Sequence, residues 1–333
     1  MKPFLNDIPV ALIFFTRPDL LEITFAAIKE ARPSKLFLIQ DGQRIDNSSD
    51  LSNIYKCRDI VEKIDWDCKV YKNYSEENLG CGMRIFSGLN WAFKYVDHLL
   101  IIEDDCVPSQ SLFPFTLELL DKYKYDDRIG MICGMNNLES CLNLPNDYFF
   151  STSGSIWGWA TWKRVWQKVE YDLDFLEDDY STNTVYKTDM RLKSMGEINI
   201  KKIKRGEKLT SWSYQFGMNI FLQHQLNIIP KYNMIENIGL SENGANSVSS
   251  IKFIPRGLRS LYNMKTYSYD FPLKHPKYVV NDLEFKAKVD RLMGNGHKFI
   301  SLYRKLESII YRIIAGDFNS IKKGIVRRFG KQN

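Results

Sequence analysis

The strongest constraint on the fold of this chain is an alternation of short apolar runs with amphipathic segments over its first 105 residues. The runs IPVALIFF (8–15) and KLFLIQDG (35–42), a segment at 67–74 and a run that begins at 98 indicate strands, with helices predicted between them. Strands that are buried on both faces read as continuous apolar runs. The pattern therefore predicts an α/β protein with a mostly parallel sheet flanked by helices.

The chain is long and apolar enough for one large core or two modest ones, with 333 residues of which 44% are hydrophobic. The strand–helix alternation weakens after about residue 150, where aromatic and polar segments replace it. We therefore expect one unit over residues 1–265, with halves that meet near residue 150, and a helical tail over residues 266–333.

The cysteine pattern and the N-terminal segment indicate the cellular compartment of the protein. The six cysteines show no CxxC spacing, which favours free thiols in a reducing cytoplasm. The N-terminal segment lacks the features of a signal peptide, and no apolar run approaches the roughly 18 residues of a membrane span. These observations predict a cytoplasmic protein.

Three consecutive carboxylates, Glu103, Asp104 and Asp105, follow the apolar run LLII at 99–102. Adjacent anions repel one another, and a hard cation that carries phosphate oxygens would relieve the repulsion. The alternative is an acidic turn that caps the next helix, because acids favour helix N-termini. The motif alone does not decide between these two interpretations.

Polar residues also follow the first two predicted strands, at Thr16 and Arg17 and at Gln40 and Asp41. In a parallel sheet these residues and the acidic motif (103–105) would lie along one edge, where open α/β sheets bind ligands. An Arg suits a diphosphate, and an Asp suits a base or ribose. Each of these segments could also be an ordinary turn or the start of a helix. Their convergence at one edge of the sheet nevertheless predicts a ligand-binding site.

Four segments resemble one known family in their order and spacing: PVALIFFTRPDLLEITFAAI, LFLIQDG, NLGCGMRIFSGLNWAF and LLIIEDDCVPSQSLFPF. They look like the GT-A glycosyltransferases of the N-acetylglucosaminyltransferase I group and their bacterial relatives, over roughly residues 8–240. The resemblance implies a GT-A fold, a UDP-sugar donor and a Mn²⁺ or Mg²⁺ cofactor. It also implies a nucleotide-sugar half at 1–150 and an acceptor half at 151–265.

The resemblance assigns roles to the residues at the predicted edge. It implies that Asp105 is the direct metal ligand and that Glu103 and Asp104 lie nearer the sugar and the ribose. It implies that Arg17 and Asp41 contact the nucleotide.

A loop with two glycines, Asn78 to Gly82, precedes the third predicted helix. Glycines allow close backbone approach to a ligand, and a helix N-terminus offers free N–H groups to phosphate or sugar oxygens, which makes Asn78 and Gly80 candidates. Arg84, in the first turn, is expected either to contact the diphosphate or to be solvated. The alternative is an ordinary loop before a helix.

Four tryptophans lie between residues 153 and 166, and they divide into two pairs. Trp162 and Trp166 have the i, i+4 spacing of a helix core face. Trp157 and Trp159 are flanked by glycines and suit the flat face of a sugar. The family resemblance, which places a Gly-Trp loop beside the donor sugar, favours both as site residues.

An inverting transfer needs a carboxylate that accepts the proton of the acceptor hydroxyl. Bacterial relatives usually have an Asp where this chain has Ser213, and often a His where it has Asn246. A serine is not basic enough, so either Glu242 or Glu236 replaces the missing base or transfer is slow or absent. We favour Glu242, because glycines on both sides would let its loop bend over the donor.

The net charge of +6 resides in the last 36 residues. Residues 298–333 hold nine Lys or Arg against two acids, which leaves −1 for the rest and excludes a basic body for nucleic acid. The same segment has an apolar helical face with basic residues opposite. It could lie on an anionic membrane surface or pack that face on the catalytic unit.

Taken together, these features predict a metal-dependent glycosyltransferase, inverting, that moves a sugar from a nucleotide-diphosphate donor to a glycan or lipid-linked glycan acceptor in bacterial surface polysaccharide synthesis. One alternative is a sugar nucleotidyltransferase, but the segment FFTRPDL after the first strand lacks the Gly-rich phosphate loop expected there. Another is a non-catalytic protein that binds sugar nucleotides, which the serine at 213 suggests.

Overall fold

A computed structural model describes residues 1–205, 207, 209, 212–240 and 250–318. Its central element is an eight-stranded sheet, and a separate pair of antiparallel strands lies beside it. The strands are β1 (Asn6–Phe14), β2 (Pro33–Gln40), β3 (Lys69–Tyr74), β4 (His98–Glu103), β5 (Cys106–Pro108), β6 (Ile129–Cys133), β7 (Tyr148–Ser151), β8 (Trp159–Trp162), β9 (Leu226–Pro230) and β10 (Ile235–Asn237).

The strand order in the large sheet is β3-β2-β1-β4-β8-β6-β9-β7. The first four strands are mutually parallel, and the central strands β1, β2 and β4 are almost wholly buried. Strand β8 runs antiparallel to both β4 and β6, and β7 runs antiparallel to β9. The mostly parallel α/β sheet predicted from the apolar runs is confirmed.

Helices pack against this sheet and against one another: α1 lies beside α2, α3 contacts β1 and β2, and α4 contacts β1, β6 and β8. None of the helices in the described ranges is both long and apolar enough to cross a membrane. The helices are α1 (Pro18–Ala31), α2 (Ser49–Val61), α3 (Cys81–Ala92), α4 (Leu112–Lys122), α5 (Lys163–Trp166), α6 (Asp179–Thr188), α7 (Met190–Lys204), α8 (Ser213–Leu222), α9 (Arg256–Arg259), α10 (Leu283–Met293) and α11 (Lys298–Ile314).

Residues 266–293, which the sequence pattern predicts to belong to the tail, pack on the main body. Leu273, Phe285 and Val289 are part of the principal core, and Asn281 forms a bridge to Phe150 of β7. Among the described residues of this segment, helix α11 contributes no side chain to that core. The packing of α10 could not be predicted, because its few apolar side chains have the same spacing as those of a surface helix. The six cysteines are free thiols, as predicted.

The connection between β2 and α2 is held by an ion pair whose carboxylate is buried and whose guanidinium is about half exposed. Asp50, 1% exposed, accepts hydrogen bonds from the backbone N–H of Arg44 at 3.1 Å and from its Nε and Nη2 at 2.7 Å each. These bonds lower the pKa of Asp50 below its usual 3.8. The pair fixes the segment that follows Asp41 at the edge of the sheet.

Asp50→Asn is expected to lower the free energy of unfolding by about 1–2 kcal/mol at pH 7, because charge-assisted bonds to a buried acceptor become neutral ones. The pKa of Asp50 is lower in the folded protein, so its contribution is present above pH 3.8 and is lost as the pH falls through the folded pKa. Urea unfolding at pH 7 and near pH 3 should therefore show a difference from wild type that shrinks in acid. A difference that stays constant with pH would contradict this assignment.

Candidate functional site

The ends of β1, β2 and β4 meet at one edge of the sheet, as predicted. Arg17, which follows β1, bridges two acids that follow β4: its Nη1 donates to Asp105 Oδ2 at 2.8 Å and its Nη2 forms a short ion pair with Asp104 Oδ1. Thr16 is half-buried beside it. The guanidinium thus relieves part of the repulsion within the acidic motif.

Burial shifts the acid–base behaviour of the first two acids. Desolvation, with the nearby Asp105 and Asp104 charges, raises the pKa of Glu103 to about 8. Desolvation also raises the pKa of Asp104 to about 6, although Arg17 opposes the shift. Burial disfavours the charged form of both carboxylates. A cation bound at this edge would favour their charged form and so lower both pKa values.

Asp105 is the carboxylate best placed to hold a cation. Among the residues that the structure describes, its Oδ1 accepts only the weak thiol donor of Cys106 at 3.5 Å. Gly239 packs so closely that a Cβ there would lie 2.5 Å from Oδ2. No group of three or more His, Cys, Asp or Glu is placed for a metal among the described residues. One or two carboxylates completed by substrate phosphates is nevertheless the usual Mg²⁺ or Mn²⁺ arrangement, so this donor set fits such an ion.

Asp41 and the glycine loop form a second part of the edge. The carboxylate of Asp41 accepts the backbone N–H of Leu79 and of Gly80 at 2.9 Å each, and the Asn78 amide at 3.2 Å. The prediction that this loop offers free N–H groups to a ligand is therefore wrong for Leu79 and Gly80, whose donors are already used. Asp41 instead holds the loop in place beside the acidic motif.

Gln40 and Arg84 support the edge from within. Gln40 is fully buried and donates to the carbonyls of Phe15 and Ile54. Arg84 is 5% exposed, and its guanidinium donates to the carbonyl of Gln40 at 3.1 Å and to Asn73. The prediction that Arg84 contacts a diphosphate or is solvated is wrong, because its donors bind the ends of β2 and β3.

The two candidate tryptophans have different positions. Trp157 is half-buried and packs on Tyr262, with ring centroids 5.2 Å apart. Desolvation raises the pKa of Tyr262, and the negative charge of Asp105 raises it further. Trp159 is 1% exposed within β8 and stacks on Trp212 in the core, so its prediction as a site residue is wrong. Trp162 and Trp166 are buried, as predicted, but Trp162 is the last residue of β8 and does not share a helix with Trp166.

A cavity of about 270 Å³ opens beside Trp157, and Ser213 at the start of α8 lines it together with Arg191. Glu236 lies on β10 opposite Val107 of β5, near the acidic motif. Glu242 lies outside the described residues, so the structure does not test its role.

Sequence reasoning missed one residue of this site, Tyr262, which faces Trp157. Gly239 was expected only to let the loop of Glu242 bend, and the structure places it against Asp105. An aromatic residue or a glycine in an irregular segment does not indicate its distant partner, so only the tertiary fold identifies these contacts.

Arg17→Met is expected to lower the free energy of unfolding by about 2 kcal/mol at pH 7, because Asp104 and Asp105 lose their counter-charge in a poorly solvated place. The value is discounted because the Arg17 side chain is 43% exposed. Added Mn²⁺ should recover part of the loss, since it supplies the missing positive charge. Arg17→Lys, which keeps one charge but loses the fork, serves as the control and should lose less. Equal urea midpoints for wild type and Arg17→Met would contradict the bridging role.

Comparisons with known proteins show similarity only to solved structures, and at low sequence identity. No family model matches the chain, and no curated protein sequence matches it. Among solved structures, the inositol-1-phosphate CTP transferase from T. maritima is similar over 78% of this chain and 96% of its own, at 9% identity and a TM-score of 0.39. The UTP-bound UGPase from Acinetobacter baumannii is similar over 69% of this chain and 88% of its own, at 9% identity and a TM-score of 0.36.

A third similar structure is 4-diphosphocytidyl-2C-methyl-D-erythritol synthase from Anaerococcus prevotii, over 49% of this chain and 74% of its own, at 15% identity and a TM-score of 0.30. These neighbours are nucleotidyltransferases, the class of the alternative prediction, and none of the three is named as a glycosyltransferase. Likenesses of this size assign no activity to the chain.

Proposed function

We propose that this chain is a glycosyltransferase whose donor is a nucleotide-diphosphate sugar, in the first place a UDP-sugar, and whose cofactor is Mn²⁺ or Mg²⁺. The observation that supports the proposal is the placement of Asp105 and Arg17 together at the edge of the sheet, where one oxygen of Asp105 has a weak thiol donor as its only described partner. Asp105 would hold the cation, which when bound offsets the charge of the departing diphosphate. The motif resemblance to the N-acetylglucosaminyltransferase I group gives the same assignment.

The remaining edge residues fit the other parts of such a donor. Arg17, whose fork is held by Asp104 and Asp105, would bring positive charge to the diphosphate oxygens. Asp41, with the loop that it holds, would lie on the nucleotide side. Glu103 and Asp104 lie nearer the sugar and the ribose, and the Trp157 ring forms a wall suited to a sugar face.

In the proposed reaction, an oxygen of the acceptor hydroxyl bonds to the anomeric carbon as the bond from that carbon to the diphosphate oxygen breaks. The electron pair leaves with the diphosphate, and the hydroxyl proton passes to a carboxylate, for which we propose Glu242. The configuration at the anomeric carbon is inverted. The cavity lined by Ser213 and Arg191 is the proposed acceptor side, for a glycan or lipid-linked glycan of a bacterial surface polysaccharide.

A nucleotidyltransferase is the second candidate, because it too would bind a nucleotide and a cation at this edge, and the structural neighbours carry names of that class. The connection after β1 disfavours it. Only Phe15, Thr16 and Arg17 separate β1 from α1, so the chain has neither the length nor the glycines of a phosphate loop there.

The activity test incubates the purified protein with Mn²⁺ and a panel of nucleotide-diphosphate sugars, and measures release of nucleoside diphosphate without an acceptor. A parallel reaction supplies nucleoside triphosphates with sugar 1-phosphates and measures pyrophosphate. Cation-dependent release of nucleoside diphosphate from one donor supports the glycosyltransferase. Pyrophosphate release alone would establish the second candidate, and donor binding by calorimetry with neither product would identify a non-catalytic sugar-nucleotide-binding protein.

A further inference from the structure

Helix α11 exposes a continuous apolar face. Eight of its side chains recur at the spacing of one helical face, and each is between 44% and 89% exposed. Within the described part of the chain, no element packs over these side chains. This apolar stripe consists of Phe299, Leu302, Tyr303, Leu306, Ile309, Ile310, Ile313 and Ile314.

The opposite face of α11 anchors the helix to the body. The buried carboxylate of Glu307 accepts the backbone N–H of Arg256 at 3.3 Å and the hydroxyl of Tyr311 at 2.5 Å. The Arg259 guanidinium lies over the Tyr311 ring, 5.1 Å from its centroid. Because polar contacts hold this face on residues 250–260, the helix points its apolar stripe outward, which is the reverse of the packing alternative raised by the sequence.

Charge indicates what the apolar stripe contacts. Lys298 and Lys305 are exposed on the helix, and residues 298–333 carry seven more basic than acidic side chains. A second copy of the chain at this face would bring two strongly positive segments together, whereas an anionic surface would attract both. The remaining body, with a formal charge of −1, offers no such attraction.

We propose that the apolar stripe of α11 docks on an anionic bilayer, with the helix lying in the plane of the interface. The apolar side chains would enter the boundary between headgroups and acyl chains, and Phe299 and Tyr303 are aromatic residues of the kind that favour this depth. Lys298 and Lys305 would meet anionic headgroups, and the net positive charge of residues 298–333 would add to the attraction. This proposal does not depend on the proposed chemistry, because no residue of the candidate site takes part.

The test uses flotation of the full-length protein with phosphatidylcholine vesicles that contain about 30% phosphatidylglycerol. The stripe variant Leu302→Glu/Ile309→Glu/Ile313→Glu changes three exposed side chains of the apolar stripe, and circular dichroism and urea unfolding confirm its fold. Wild type should float, and the partition coefficient of the stripe variant should be about 100-fold lower. About 0.5 M NaCl should weaken wild-type binding, because it screens the attraction to the headgroups.

The matched control is Tyr125→Glu/Ile198→Glu/Leu283→Glu, which makes the same change of charge at three exposed apolar side chains elsewhere. It should float like wild type. Equal flotation of the stripe variant and the control would overturn the proposal. Failure of the wild type to float would also overturn the membrane proposal. If sedimentation then shows a dimer that only the stripe variant dissociates, the apolar stripe is a surface for self-association. Loss of flotation leaves donor hydrolysis unchanged, so the two proposals fail separately.

Discussion

Asp105→Asn is expected to abolish cation-dependent release of nucleoside diphosphate, with a loss of at least about 10³-fold in kcat/KM. The substitution keeps the size and shape of the side chain but removes the charge of the carboxylate whose Oδ1 accepts the weak thiol donor of Cys106. Arg17 would retain its bond to Asp104, so the edge keeps its geometry. Calorimetry with a UDP-sugar should show that Mn²⁺ no longer increases donor affinity.

Two observations separate this result from a general loss of structure. The thermal unfolding midpoint of Asp105→Asn should stay within a few degrees of wild type, and Asp121→Asn, which neutralises an exposed acid on α4, should leave activity unchanged. Donor affinity with the same cation dependence as wild type would remove Asp105 from the site. Asp105→Ala would then be expected to have no effect on donor binding either.

Glu242→Gln is expected to lower the rate of sugar transfer to the acceptor by about 10²–10⁴-fold, which is the second large effect that the proposal predicts. The reason is that a glutamine cannot accept the proton of the acceptor hydroxyl. Donor hydrolysis without acceptor should fall less, because water can lose its proton to solvent. Comparing the two rates for the same variant therefore distinguishes loss of a base from loss of donor binding.

Ser213→Asp provides the complementary test, because the glycosyltransferase family that the sequence resembles usually has an acid at this position. If Glu242 acts as the base, Ser213→Asp should change the rate little. An increase in transfer on Ser213→Asp, together with a normal rate for Glu242→Gln, would show that the base is missing. A loss confined to Glu236→Gln would assign the base to β10, near the acidic motif.

The first half of the fold could be predicted because its strands are buried on both faces and therefore read as continuous apolar runs. The second half could not, because β6 to β9 are strands of four or five residues that join the sheet out of sequence order. Their pairing depends on contacts between distant parts of the chain, for which a short apolar segment carries no signal.

The same distinction holds at the site. Arg17 and the acidic motif were predictable, because strand ends alone bring them to one edge. The roles of Trp159 and Arg84 were not, because each depends on partners distant in sequence: Trp159 stacks on Trp212, and Arg84 bonds to the chain at β3. The sequence could not predict that the apolar face of α11 points outward. An amphipathic helix has the same sequence pattern whether its apolar face packs on the protein or on another surface.

The balance of charge at the edge has a consequence for kinetics. The raised pKa of Glu103, about 8, keeps that acid mostly protonated at pH 7. The edge then holds three carboxylates (Asp41, Asp104 and Asp105) and two guanidinium groups (Arg17 and Arg84), so it is formally anionic by one charge. A free nucleoside diphosphate sugar, itself an anion, would approach like charges and be repelled. We therefore expect a compulsory order of addition in which the cation enters before the donor or together with it, and in which the nucleoside diphosphate product departs with its cation.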